Sequence, residues 1–168
     1  MIKCGNLSIL FSFSIILLLS SCQKTEVSND NSNGGVSSVN KTTLLQLVND
    51  VRLSGCNCGS TYMPPVGVIL WNNQLEAAAE KHSKDMLTNN YFSHTGFDGS
   101  SAGDRIRQAG YNWRKYGENI AKGYSTEQEV INAWILSVDH CKNIMDSDFR
   151  EMGVARAGVY WTQEFGLK

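Results

Sequence analysis

The sequence predicts an α+β domain with a small, largely antiparallel sheet covered by helices. Apolar residues recur at helical spacing in several separate stretches, and the C-terminal stretch changes to strand-like runs split by Gly158. Helical and strand segments do not alternate regularly, which argues for a layered α+β domain over a doubly wound one. The 168 residues carry 15 Lys and Arg against 16 Asp and Glu, a formal charge of −1, with no basic run. That balance argues against nucleic acid as an obligate partner. Once an N-terminal export segment is set aside, about one domain's length of chain remains.

Residues 1–21 have the form of a bacterial lipoprotein signal peptide. Lys3 supplies a small positive region, and the apolar run LSILFSFSIILLL is too short to span a bilayer comfortably. Leu19-Ser20-Ser21-Cys22 fits a lipobox, in which cleavage leaves Cys22 as a lipidated N-terminus with more than one acyl chain. The expected localisation is therefore extracytoplasmic, in the bacterial cell envelope, anchored to the membrane through Cys22. Residues 22–40 are rich in Ser, Asn, Asp and Gly and read as a flexible tether.

Residues 41–53 form the first predicted helix, with Leu44, Leu47, Val48 and Val51 at helical spacing and Asn40 as its cap. A helix cannot continue through Pro64-Pro65, and residues 68–71 read as a short extended piece. The second helix, residues 74–87, buries Leu75, Ala78, Ala79, His82 and Met86, with His82 read as a hydrogen-bonded core residue. A turn-rich segment carrying His94 leads to a short helix over 100–109. Thr126-x-x-Glu129 has the form of a capping box opening a helix over 127–138. Residues 151–157 and 159–165, split by Gly158, read as a β-hairpin.

The stretch KYGENIA, residues 115–121, organises the functional reading. It sets Glu118 between two histidine-bearing segments around His94 and His140. Two imidazoles and a carboxylate that converge can hold a divalent cation, do acid–base work, or satisfy one another in a polar pocket.

The ordered series of segments resembles the CAP superfamily of cysteine-rich secretory, antigen 5 and pathogenesis-related 1 proteins (the SCP domain), in its bacterial branch. The matching residues are His82-Ser83 with Asp85-Met86, Ser93-His94-Thr95-Gly96 with Asp98-Gly99, and Arg105 with Ala109-Gly110-Tyr111. Gly117-Glu118-Asn119-Ile120-Ala121, Trp134-x-x-Ser137, His140 with Asn143-Ile144, and Gly153-Val154 with Tyr160-Trp161-Thr162-Gln163 and Phe165-Gly166 complete it. The resemblance covers residues 41–168 and implies a three-layer α-β-α sandwich with a surface cleft. Many eukaryotic members line that cleft with two His and two acids. His94, Glu118 and His140 correspond to three of these, while the second acid falls on Ser137. Asp139, beside His140, is a candidate substitute acid.

Cys56, Cys58 and Cys141 remain in an oxidising compartment once Cys22 is acylated. One reading is a single disulfide from Cys141 to Cys56 or Cys58, closing a loop of more than eighty residues and stabilising by about 4 kcal/mol through chain entropy. Another is a metal or redox site made by Cys56-x-Cys58 with Cys141 and His140.

Three functions are open to such a chain. A binding module would receive a small molecule, lipid or peptide in an aromatic-walled cleft with Tyr91, Phe92, Tyr111, Trp113 and Trp134. His94, Glu118 and His140 would be its polar anchors, with Zn²⁺, Mg²⁺ or Ca²⁺ as a candidate cation. A hydrolase would use a metal held by that trio, or a His that activates Ser93 or Ser137. A structural module would bond the trio internally and act through its surface.

Overall fold

The computed structural model describes residues 36–168. The expected signal peptide, the lipidation at Cys22 and most of the expected tether lie outside the described residues. The end of that tether belongs to the folded domain. Strand β1 (Val36–Ser37) pairs antiparallel with Arg156 and Ala157, and Asn40 caps the first helix.

Helix α1 (Lys41–Ser54) buries Leu44, Val48 and Arg52, and the Asn40 side chain accepts from the Thr43 N–H. Strands β2 (Cys56–Cys58) and β3 (Thr61–Met63) form a small hairpin where the sequence suggested only a loop. Strand β4 (Leu70–Trp71) is the expected extended piece. Helix α2 (Asn73–Asn89) is capped by Asn72, whose side chain accepts from the N–H groups of Gln74 and Leu75. Helix α3 (Ala102–Gln108) starts later than expected, because Ser101 and Asp104 form a reciprocal capping box.

Strand β5 (Lys115–Lys122) carries the KYGENIA stretch. Helix α4 (Glu127–Leu136) opens with the expected Thr126–Glu129 box but ends two residues early. Ser137 is extended there (φ −89°, ψ 124°), and Val138 instead opens a separate helix, α5 (Val138–Met145). Strands β6 (Glu151–Ala157) and β7 (Tyr160–Leu167) form the expected hairpin, with φ +56° at Gly158 in its turn.

The main sheet runs β1-β6-β7-β5, with β4 also pairing β6. All its pairings are antiparallel except β4 with β6. Alternation sends Met152, Val154, Trp161 and Phe165 to one face, where they meet α1, α4 and α5 in the main core. The opposite face is built from small residues so that α2 can lie close. A side chain at Gly153 would put its Cβ 2.1 Å from the Glu76 backbone nitrogen, and one at Gly166 would meet the Tyr111 ring at 2.6 Å. Helices on both faces of a mixed, largely antiparallel sheet make this the α+β sandwich that the sequence predicts. No helix among the described residues is long and apolar enough to cross a membrane.

Candidate functional site

Glu118 lies on β5, on the sheet face that α2 covers, and its side chain is 4% exposed. Both of its oxygens are engaged. Oε1 is 2.6 Å from His94 Nδ1, and Oε2 accepts from Arg105 Nη2 at 2.5 Å. Arg105 in turn donates to the His94 carbonyl at 3.0 Å and to the Ser100 carbonyl at 3.0 Å. The guanidinium thus staples the His94 loop to the carboxylate that orients its ring. The His94 side chain itself is 58% exposed, so its Nε2 edge is left for solvent or a ligand.

His82 is fully buried on α2, with Nε2 2.9 Å from the Ser93 carbonyl and 3.8 Å from Glu118 Oε2. It is a hydrogen-bonded core histidine, as its place on the apolar stripe suggested, although Nδ1 has no hydrogen-bond partner among the described residues. Burial pushes its pKa down, with Arg105 adding to the shift and Glu118 opposing it. Burial also pushes Glu118 upward, but His94, Arg105 and His82 outweigh it and hold the carboxyl below its usual range.

Directly across the β5–β7 ladder from Glu118 stands Glu164, which is fully buried. As a carboxylate, Glu164 finds no donor for either oxygen among the described residues; only as the neutral acid can it hydrogen-bond, by donating to Glu118. Burial, and then the neighbouring Glu118 charge, push this carboxyl well above its ordinary pKa of 4.5, a shift that favours the neutral acid.

His140 approaches from the other layer, on α5. Asn119, on the opposite face of β5 from Glu118, donates to the His140 carbonyl at 3.2 Å and to Gln163 Oε1 at 3.0 Å. Asn143 donates back to the Glu118 carbonyl at 3.1 Å and to Asn119 Oδ1 at 2.9 Å. Burial lowers the His140 pKa, and His94 is near enough to lower it further, against Asp139.

Two surface depressions follow β5. One, of about 280 Å³, is lined by residues including His94, Thr95, Tyr116 and Glu118. The other, also about 280 Å³, includes Phe92, Tyr124, Trp134, Ser137 and His140. Of the aromatics expected in the wall, Phe92 and Trp134 are there. Tyr111 is instead buried with Leu75 and Ile106, its hydroxyl donating to Glu151 at 2.7 Å. Trp113 packs on Tyr116. Tyr91 hydrogen-bonds Asp85, which also accepts from the Phe97 N–H at 2.9 Å and so fixes the His94 loop.

The ligand atoms of His94, Glu118 and His140 do not all lie within 4.8 Å of one another. Among the described residues, the one group of three His, Cys, Asp or Glu with ligand atoms all within 4.8 Å is Cys56, Cys58 and Cys141. Glu118 is already neutralised by Arg105, so the imidazoles of His94 and His140 are the donors that remain. Among the described residues, neither candidate serine hydrogen-bonds an imidazole: the Ser93 hydroxyl oxygen accepts from the Thr95 N–H at 3.1 Å, and Ser137 heads α5 without a side-chain cap bond.

Residues 45–165 match the cysteine-rich secretory protein family, CAP. The chain belongs to this family. Among its relatives is the uncharacterized protein YkwD of Bacillus subtilis, 40% identical over 93 residues, which are 54% of this chain and 36% of YkwD. The uncharacterized membrane protein YlbC of the same organism is 35% identical over 95 residues, 56% of this chain and 28% of YlbC. The chain therefore spans about a third of each curated relative's length. An extracellular SCP-domain protein from Bacillus anthracis has the same fold, with a TM-score of 0.68 and 30% identity over 76% of this chain and 40% of that one.

Glu118 and His94 were legible from their motifs, whereas the partners that set their chemistry were not. Arg105 was visible only as a matching residue, with no sign of its partner. Glu164 carried no such signal: it follows Thr162 and Gln163, and a polar run in a C-terminal strand does not by itself mark a buried acid.

Proposed function

We propose that this chain is a membrane-anchored, extracytoplasmic CAP-domain lipoprotein whose cleft binds a small molecule, lipid or peptide through His94 and His140. The observation that carries the reading is the commitment of Glu118. A buried carboxylate fixed by Arg105 orients the His94 ring while leaving its other edge exposed. Such preorganisation costs side-chain freedom and buried charge, which a purely structural contact at the surface does not require. Phe92, Tyr124 and Trp134 beside His140 offer apolar contact for the rest of a ligand. A divalent cation, where one enters, would rest on the two imidazoles and attract an anionic ligand group.

The anchor is supported by the lipobox ending at Cys22, and an extracytoplasmic place by the extracellular and membrane proteins among the relatives. Cys22→Ser should release the protein from the membrane fraction and abolish incorporation of labelled palmitate. Retention of both would remove the lipoprotein reading.

For the cleft, the protein is dialysed against Zn²⁺, Mg²⁺ or Ca²⁺, assayed by elemental mass spectrometry, and titrated with a panel of lipids and peptides. His94→Ala with His140→Ala should lower uptake at least tenfold, while stability changes by about 1 kcal/mol or less because the His94 pair is half exposed. Unchanged uptake together with a large loss of stability would make the cluster structural.

A further inference from the structure

The three cysteines of the folded domain meet at a place that lines neither cleft depression. Cys56 and Cys58 are two apart on β2 and so project to the same side of the strand. That side faces α5, where Cys141 is fully buried. The disulfide joins Cys58 to Cys141, resolving the two pairings that the sequence left open, with 5.4 Å between their Cα atoms. Cys56 is the free thiol among the described residues, half-buried at the edge of the group, and its sulfur lies 3.5 Å from that of Cys141. All three sulfurs lie within 4.8 Å of one another. A free thiol in contact with a bridge is the starting arrangement for exchange.

We propose that these residues form a thiol–disulfide exchange site, in which the bridge to Cys141 passes between Cys58 and Cys56. Cys56 gives its proton to solvent, and its thiolate attacks Cys141 Sγ. The Cys56–Cys141 bond forms as the Cys58–Cys141 bond breaks, and the electron pair leaves on Cys58, which then takes up a proton. One disulfide and one thiol stand on each side of the step, so it needs no oxidant or reductant.

The sulfurs form a triangle rather than a line, so in-line attack requires β2 to shift along α5. Burial also raises the Cys56 thiol pKa, which lowers its thiolate fraction and slows the step. The shift has a route to the cleft. The turn of the β2–β3 hairpin rests on the start of α5, where a Cβ on Gly59 would sit 2.8 Å from Val138 Cγ2. Moving the bridge from Cys58 to Cys56 therefore changes how the hairpin bears on the helix turn that carries His140.

The test maps the free thiol. The purified full chain is held for hours at mildly alkaline pH without reductant, quenched in acid, denatured and alkylated with N-ethylmaleimide. Fragment ions that divide the peptide at Asn57 then tell whether Cys56 or Cys58 carries the label. The expected result is label on both, in a ratio within about tenfold, whereas label on Cys56 alone would overturn the proposal. In a Cys58→Ala variant, oxidation should join Cys56 to Cys141. Recovery of both of these as alkylated thiols would also overturn it. The wild-type label ratio stands whether or not that variant folds.

Discussion

On one face of the sheet, Met152, Val154, Trp161 and Phe165 meet three helices in an apolar layer. The buried charge packed into that layer, Arg52, is held by backbone. It donates to the carbonyls of Gly67, Ile144, Asp146 and Phe149 at 2.7–3.2 Å. On the other face, α2 lies over Gly153 and Ala155, and the interior holds His82, Arg105, Glu118 and Glu164. The buried side-chain atoms left without hydrogen bonds among the described residues are His82 Nδ1, Arg105 Nε and both Glu164 oxygens. All belong to Glu118 or its neighbours. One face obeys the rule that buried polar groups find partners, and the other strains it around a single carboxylate, where Glu164 can bond Glu118 only by keeping its proton. Such violations are costly and tend to persist where a site needs them.

Breaking the Glu118 cluster should have the largest effect. Glu118→Gln leaves Arg105 buried beside a neutral amide, so urea unfolding should report a loss of about 3–5 kcal/mol. Ligand uptake should fall as well, because His94 loses its orienting acceptor. A fully folded, fully binding Glu118→Gln protein would erase the distinction between the faces.

Arg52→Met probes the other face. It keeps most of the volume but orphans several buried carbonyls, and the expected loss is about 2–3 kcal/mol. Cleft binding should remain unchanged, since none of the Arg52 hydrogen bonds reaches Glu118, His94 or His140. Lost binding in a folded Arg52→Met protein would mean that the faces are coupled.

Much of the helical layer was legible because local rules and tertiary structure agree. Leu44 and Val48, Val130 and Trp134, and the caps at Asn40 and Thr126 each mark their elements through neighbours three or four residues away. Helix α5 was missed although Val138, Cys141, Ile144 and Met145 have helical spacing, because α4 seemed to run through Ser137. The β2–β3 hairpin had its turn signal in Gly59, at φ +64°, but strands of three residues carry too little alternation to read. The site was half legible for a different reason. A motif marks Glu118, but the ion pair with Arg105 and the confrontation with Glu164 depend on loop placement and strand register, which no local pattern encodes.

The smallest effect is also the most direct test of the claim that this face gives up stability to hold its polar groups. Glu164 has a folded pKa raised well above its ordinary 4.5, so the folded chain keeps a proton that the unfolded chain releases as pH rises. Its contribution therefore turns unfavourable above about pH 4.5 and grows until the folded pKa is reached. His82 and His140, lowered from 6.5, act oppositely: stability falls as pH drops below that value, equally in wild type and in a Glu164 variant. The measurement is the unfolding free energy of Glu164→Gln against wild type across this range. The account predicts near equality at about pH 4 and a variant whose stability advantage over wild type grows as pH rises from there toward 7. A variant that is less stable at neutral pH, or a difference that ignores pH, would contradict it.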